Sequence, residues 1–311
     1  MARTNSHSRR LASALTLAVL TAAGFTPALA HAAPAQDFQG MQAEVVGTGV
    51  PVLMIPGLNS GADSWRDTCQ ALQPQVQCHL VTLPGFAGQP AVGEAAFLTG
   101  MRDRLLAYIA ERKLAAPVVA GHSLGGMLAL QMALEQPQAV GKLVIVDSLP
   151  YFGAVQNPAA TPETMRPMAE QMRQGMLKAD QVSYLQQAEV PLNSMAHDPA
   201  RIATLKAWSR SSDRTATANA MYEMMVTDLR GELGGITSPT LVLGSWAAYK
   251  PYGSTLESTR GIFASQYAKL DGVRIEMSQD GYHFLMWDDP QWLQAQMRDF
   301  LALPATAAAG G

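Results

Sequence analysis

One serine stands where a hydroxyl could be made to react. Ser123 lies in Gly121-His122-Ser123-Leu124-Gly125-Gly126, directly after the apolar run Pro117-Val118-Val119-Ala120 and directly before a stretch of helical character. A serine hydroxyl is a poor nucleophile unless it is held exposed beside a base. A sharp strand-to-helix turn holds it that way but crowds the backbone, which calls for glycine two residues to either side. The same turn puts the Leu124 N–H at a helix N-terminus, facing an oxyanion formed on attack. A second donor would come from the loop after an earlier strand. Pro56-Gly57-Leu58-Asn59 follows the run Val52 to Ile55, which makes the Leu58 N–H the candidate, with Gly57 letting a substrate approach the backbone.

A base for Ser123 should be a histidine late in the chain. Of six histidines, His7 and His31 fall in the N-terminal segment, His122 fills the variable slot of the serine turn, and His79 begins an apolar strand. His197, in Met195-Ala196-His197-Asp198-Pro199, reads as a surface loop. His283 remains, in Asp280-Gly281-Tyr282-His283-Phe284, on the loop after the last strand.

The elements that must position these groups follow an alternating plan. Strands are expected at Pro51 to Ile55, Cys78 to Leu83, Pro117 to Ala120, Lys142 to Asp147, Thr240 to Leu243 and Val273 to Met277. Between them, helical spacing marks Asp63 to Leu72, Leu98 to Lys113, Leu124 to Glu135, Thr255 to Leu270 and Pro290 to Leu303. Apolar strands separated by helices indicate a parallel sheet covered on both faces. The alternation stops between residues 150 and about 232, which are Met-, Gln- and Ala-rich with helical spacing (Met165, Met168, Met172, Met176, then Met221, Met224, Met225). Inserted between two strands at the carboxyl edge, such a segment would form a cap over the crevice where open α/β sheets bind ligands. Most of its methionines should pack helix on helix, and a minority should face a deformable pocket. The tail 304–311 reads as disordered.

The bulk properties restrict partners and compartment. The 311 residues fit one large α/β domain. The basic cluster Arg3, Arg9 and Arg10 precedes an apolar run from Leu11 to Phe25, and small residues at Ala28/Ala30 or Ala30/Ala32 offer A-x-A cleavage options. Residues 1–32 are therefore expected to be a signal peptide for export to the periplasm or beyond, leaving 33–311 as the α/β domain. Without the three arginines of that segment, 19 basic residues face 25 acidic ones, a net charge of -6. An acidic surface argues against nucleic acid, and no second long apolar run suggests a membrane partner. Cys69 and Cys78, nine residues apart, form either one disulfide or two buried thiols. Cysteines and histidines lack metal-ligand spacing, so no metal or organic cofactor is expected.

On these motifs the chain resembles the α/β-hydrolase superfamily from about residue 40 to 303. The resemblance is carried by Pro56-Gly57, Leu83-Pro84-Gly85-Phe86, the serine turn, Pro239-Thr240-Leu241-Val242-Leu243, and His283-Phe284 followed by Asp289-Pro290. It implies a capped, mostly parallel eight-stranded sheet and a Ser–His–acid triad acting on esters, lactones, amides and related bonds. The chain departs from the common pattern at the acid. Where most relatives carry it, this sequence reads Gly244-Ser245-Trp246-Ala247-Ala248-Tyr249-Lys250, without a carboxylate. A minority of relatives place the acid after the preceding strand, the position of Asp147, whose task would be to hold the histidine ring and stabilise the imidazolium. Asp228 and Asp280 are alternatives, as is a Ser–His dyad. Trp246, Tyr249 and Tyr252 either wall the pocket or pack under the cap. Dehalogenase and epoxide-hydrolase chemistry on this fold uses an aspartate nucleophile, which Ser123 argues against. The expected activity is hydrolysis of a small to medium, largely apolar ester or lactone. Amidase or peptidase action, or a non-catalytic ligand-binding role, are the alternatives.

Overall fold

Eight strands form one sheet in the order β1-β2-β4-β3-β5-β6-β7-β8. The computed structural model describes residues 1–2, 35–93, 96–155 and 157–303. The expected signal segment, apart from its first two residues, and the tail 304–311 lie outside them. The chain divides into Met1–Ala30 and His31–Gly311, and the second unit carries every element named below.

The strands are β1 (Gln36–Phe38), β2 (Met41–Gly47), β3 (Val50–Ile55), β4 (Val76–Thr82), β5 (Val118–His122), β6 (Lys142–Val146), β7 (Thr240–Gly244) and β8 (Arg274–Met277). From β3 onward, neighbours pair in parallel; β1 with β2, and β2 with β4, are antiparallel. Successive side chains point to opposite faces, so a strand covered on both sides must be apolar throughout. In β3, Leu53 and Ile55 join one core cluster while Val52 and Met54 join the other. Helices α2 (Phe97–Glu111), α3 (Leu124–Glu135) and α8 (Leu256–Gln266) cover the first face. Helices α1 (Arg66–Leu72) and α10 (Pro290–Leu301) cover the second. Both layers are needed to bring the ends of β3, β5, β6, β7 and β8 to one carboxyl edge.

Six expected strands are present, with shifted ends. The strand expected from Cys78 begins at Val76, because Val76 pairs with Val50 across the ladder. The helix expected to reach Lys113 stops at Glu111, where Lys113 takes a φ of 53°. The helix expected to reach Leu270 stops at Gln266. The hairpin of β1 and β2 is an addition. Its two-residue turn, Gln39-Gly40, has positive φ at both positions, the geometry that matches strand twist, but with Gln in place of the usual Asn or Asp.

Cys69, midway along α1, and Cys78, the third residue of β4, form a disulfide with Cα atoms 6.1 Å apart. Closing so short a loop restricts the unfolded chain by about 2–3 kcal/mol on the loop-entropy account. Reduction, or the Cys69→Ser/Cys78→Ser pair, is expected to lower unfolding stability by about that amount in a urea titration. An unchanged midpoint would show that the bridge contributes nothing.

The cap lies between β6 and β7 and is helical: α4 (Pro162–Lys178), α5 (Gln181–Glu189), α6 (Pro199–Ser211) and α7 (Arg214–Val226). Each begins at a side chain that accepts from its first turn, Thr161, Asp180, Asp198 and Asp213. Met224 and Met225 are buried, Met165, Met172, Met176 and Met221 are half-buried, and Met168 is exposed. The cap also completes the core. Helix α2 starts after Ala96, which has no capping group, and the Glu223 carboxylate of α7 accepts from Phe97 N (2.6 Å) and Leu98 N (2.7 Å) instead. No helix among the described residues is long and apolar enough to cross a membrane.

Candidate active site

Ser123 sits between β5 and α3 with φ 53° and ψ -120°, a conformation that costs a non-glycine residue about 1–3 kcal/mol. The surroundings enforce it. Its N–H donates to Val146 O (2.9 Å) on β6, and its carbonyl accepts from Gly126 N and Met127 N. A Cβ at Gly121 would lie 2.1 Å from Gly125 O, and one at Gly125 would lie 2.4 Å from Ile55 O. The glycines are thus required by backbone meeting backbone, as the sequence spacing anticipates. Asp147 and Asn59, each just past a strand end, also take positive φ, 42° and 58°. Three of the chain's strained residues therefore border one edge of the sheet, where such strain tends to gather at functional sites.

Asp147 is the carboxylate that meets His283. Its Oδ2 accepts from His283 Nδ1 at 2.6 Å, with the aspartate side chain 9% and the imidazole 21% exposed. The same carboxylate accepts from Ser245 N through Oδ1 (2.7 Å) and from Ser245 Oγ through Oδ2 (2.9 Å). Ser245 is fully buried and follows β7 directly, where the usual acid is missing. That strand end supplies two donors to an acid carried by the neighbouring strand. The other candidates are placed elsewhere. Asp228 is bonded to the Arg230 guanidinium (2.7 and 2.9 Å), and Asp280 is exposed.

His122 does more than fill a slot. Its imidazole is completely buried and its Nε2 donates to the His283 carbonyl (2.9 Å). The two rings lie 4.5 Å apart between centroids. Burial, followed by the repulsion of His283, holds its pKa well below the usual histidine value, so the ring is neutral and Nε2 carries the proton. This bond brings the His283 loop against the residue preceding Ser123.

The loop after β3 packs on the same point. A Cβ at Gly57 would lie 3.0 Å from His122 Nδ1 and 3.2 Å from Ser123 Cβ, so glycine serves close contact with the serine turn as well as approach of a substrate. Neither the Leu58 nor the Leu124 amide has an acceptor among the described residues. Asn59 ties this loop to the cap, since its Oδ1 accepts from Thr217 Oγ1 of α7 at 2.7 Å.

The three aromatic residues after β7 separate. Trp246 packs against the core cluster, and its indole N–H is buried without a partner. Tyr249 leaves 51% of its surface exposed, while desolvation by burial and then the Asp147 charge raise its pKa. Tyr252 is 83% exposed and fits neither a pocket wall nor packing under the cap. Among the described residues no group of three or more His, Cys, Asp or Glu is placed to hold a metal ion.

A model of the alpha/beta hydrolase family matches residues 52–296, most of the chain. The chain belongs to the alpha/beta hydrolase family. Among curated relatives, a pimeloyl-[acyl-carrier protein] methyl ester esterase of Aeromonas hydrophila is 29% identical over 205 residues, 64% of this chain and 77% of the relative. Its counterpart in Vibrio campbellii is 36% identical over 108 residues, 35% of this chain, and the match spans only 41% of that relative's length. Among solved structures, the enol-lactonase of Burkholderia xenovorans LB400 superposes with a TM-score of 0.69 at 15% identity, covering 86% of this chain and all of that one. An esterase from Exiguobacterium antarcticum gives 0.68 at 20% identity, covering 84% and 95%. Likeness at such identities establishes the fold alone, the alpha/beta hydrolase sheet of eight mostly parallel strands flanked by helices.

Proposed function

We propose that this alpha/beta hydrolase is an exported serine esterase or lactonase that cleaves small to medium, largely apolar carboxylic esters. The 2.6 Å bond from His283 Nδ1 to Asp147 carries the reading. With Nδ1 committed as donor, Nε2 is the nitrogen left to accept a proton, the tautomer a base for Ser123 needs. In this mechanism Ser123 Oγ attacks the carbonyl carbon as His283 takes its proton, and Asp147 stabilises the imidazolium. The Leu58 and Leu124 amides donate to the oxyanion. His283 then protonates the leaving alkoxide, and a water activated by the same imidazole releases the acyl group from Ser123.

An ester is favoured over an amide by relatives named as methyl ester esterases. Export is supported by the basic-then-apolar N-terminal sequence with its A-x-A options, and by a disulfide of the kind that persists in oxidising compartments.

The test pairs an active-site label with a substrate panel. A fluorophosphonate probe is expected to label the protein at Ser123, and p-nitrophenyl butyrate and simple lactones to be turned over far faster than matched anilides. Labelling with anilide turnover exceeding ester turnover would make the protein an amidase or peptidase. Absence of labelling would leave a ligand-binding member of the fold.

A further inference from the structure

The loop that carries His283 is held mostly by other segments. Beyond the bonds to Asp147 and His122, the amides on either side of His283 both leave the loop's own turn. Tyr282 N donates to Asp288 Oδ2 at 3.1 Å, and Phe284 N donates to Met195 O at 3.1 Å. Met195 belongs to the cap, in the stretch between α5 and α6. Two residues further on, His197 N donates to Asp288 Oδ1 at 3.0 Å. The His197 ring stands edge-on to Tyr282, with centroids 4.0 Å apart. The two oxygens of one carboxylate therefore receive one N–H from the cap and one from the His283 loop.

We infer that Asp288 is a positioning residue for His283: its carboxylate clasps the cap segment Met195–His197 to the His283 loop and so sets where the imidazole stands. Neither segment has helix or strand bonds at these amides, so nothing in regular structure replaces the clasp. Bonds from N–H groups to a carboxylate are charge-assisted and stronger than neutral ones. Asp288 closes the four-residue helix α9 (Leu285–Asp288), whose Leu285 and Met286 are buried in the second core cluster, so the clasp is fixed to the body of the molecule. The cap thereby becomes part of the support of the base, besides covering the site.

This inference rests on His283 acting as the base, and the experiment separates the two. The His283 Nδ1 proton shared with Asp147 should give a far-downfield proton resonance in the wild-type protein, assigned by its loss in Asp147→Asn. That signal reports ring placement whether or not an ester is turned over. In Asp288→Ala, with folding checked by circular dichroism, the resonance is expected to shift or broaden. On p-nitrophenyl butyrate kcat should fall by roughly ten- to a hundredfold, the scale of a misplacement near 1 Å, with KM within about twofold. Asp288→Asn keeps one acceptor oxygen and should fall between, and it serves in place of the alanine variant if that one fails to fold. A folded variant with the resonance and kcat unchanged would overturn the inference. So would a KM that rises with acyl length at constant kcat, which would make Asp288 a substrate contact. A wild-type protein without ester turnover would instead remove the proposed function, and the resonance would still decide the role of Asp288.

Discussion

Ser123→Ala is expected to lower kcat on a p-nitrophenyl ester by on the order of 10⁶-fold, as loss of the nucleophile does in other serine hydrolases. Every bond that shapes the turn is made by backbone, the Ser123 amide to Val146 and its carbonyl to Gly126 and Met127, so alanine removes the hydroxyl and little else. Alanine inherits the same strained φ, and stability should change little. The Leu58 and Leu124 amides would remain to polarise a bound carbonyl, which leaves a residual acceleration of about 10³–10⁴ over water. Steady-state rates with purified variant, beside loss of fluorophosphonate labelling, check this. A variant that retained even a tenth of wild-type turnover while folded would place the nucleophile elsewhere.

Asp147→Asn is expected to cost about 10⁴-fold in kcat with the fold intact, the scale seen when a triad aspartate is amidated. The neighbours make the effect large. Ser245 N donates to Oδ1, and Ser245 Oγ and His283 Nδ1 converge on Oδ2, a site that suits a carboxylate with acceptors on both oxygens. An asparagine there turns its oxygen toward the Ser245 amide, and its NH₂ then faces His283 Nδ1. The ring must answer as acceptor, which moves its proton to Nε2, where it can no longer receive one from Ser123. Asp228→Asn is the matched control. Its carboxylate is bonded to Arg230, and the change should leave kcat near wild type. If Asp228→Asn silenced the enzyme and Asp147→Asn did not, the acid would be misassigned.

The serine turn, the loop after β3 and the late histidine could be read from sequence because each depends on local constraints: glycines where backbones touch, and strand ends that share an edge. Asp147 was legible as one of several candidates, since only the sheet order puts β6 beside β7 and so brings Ser245 and His283 to the same carboxylate. Ser245 carries no signal of its own at a strand end where an acid is expected, yet its two donors serve an acid on the next strand equally well. The clasp through Asp288 had no local signal. It joins residue 197 to residue 288 through a main-chain N–H that any residue but proline could provide. The hairpin of β1 and β2 was hidden by Gln39, a poor marker for a turn, and by Gln42 and Glu44, which break the apolar run at a strand near the sheet edge.

The trans contact from Glu223 to the start of α2 bears on how such enzymes exchange parts. A graft that replaced residues 150–232 with the corresponding stretch of a family member would leave the first turn of a core helix with open N–H groups, unless the donor carried an acid at the matching point. Exchanging the insertion is therefore also a change to the core, because one end of a helix packed on the sheet is satisfied only from the segment above it.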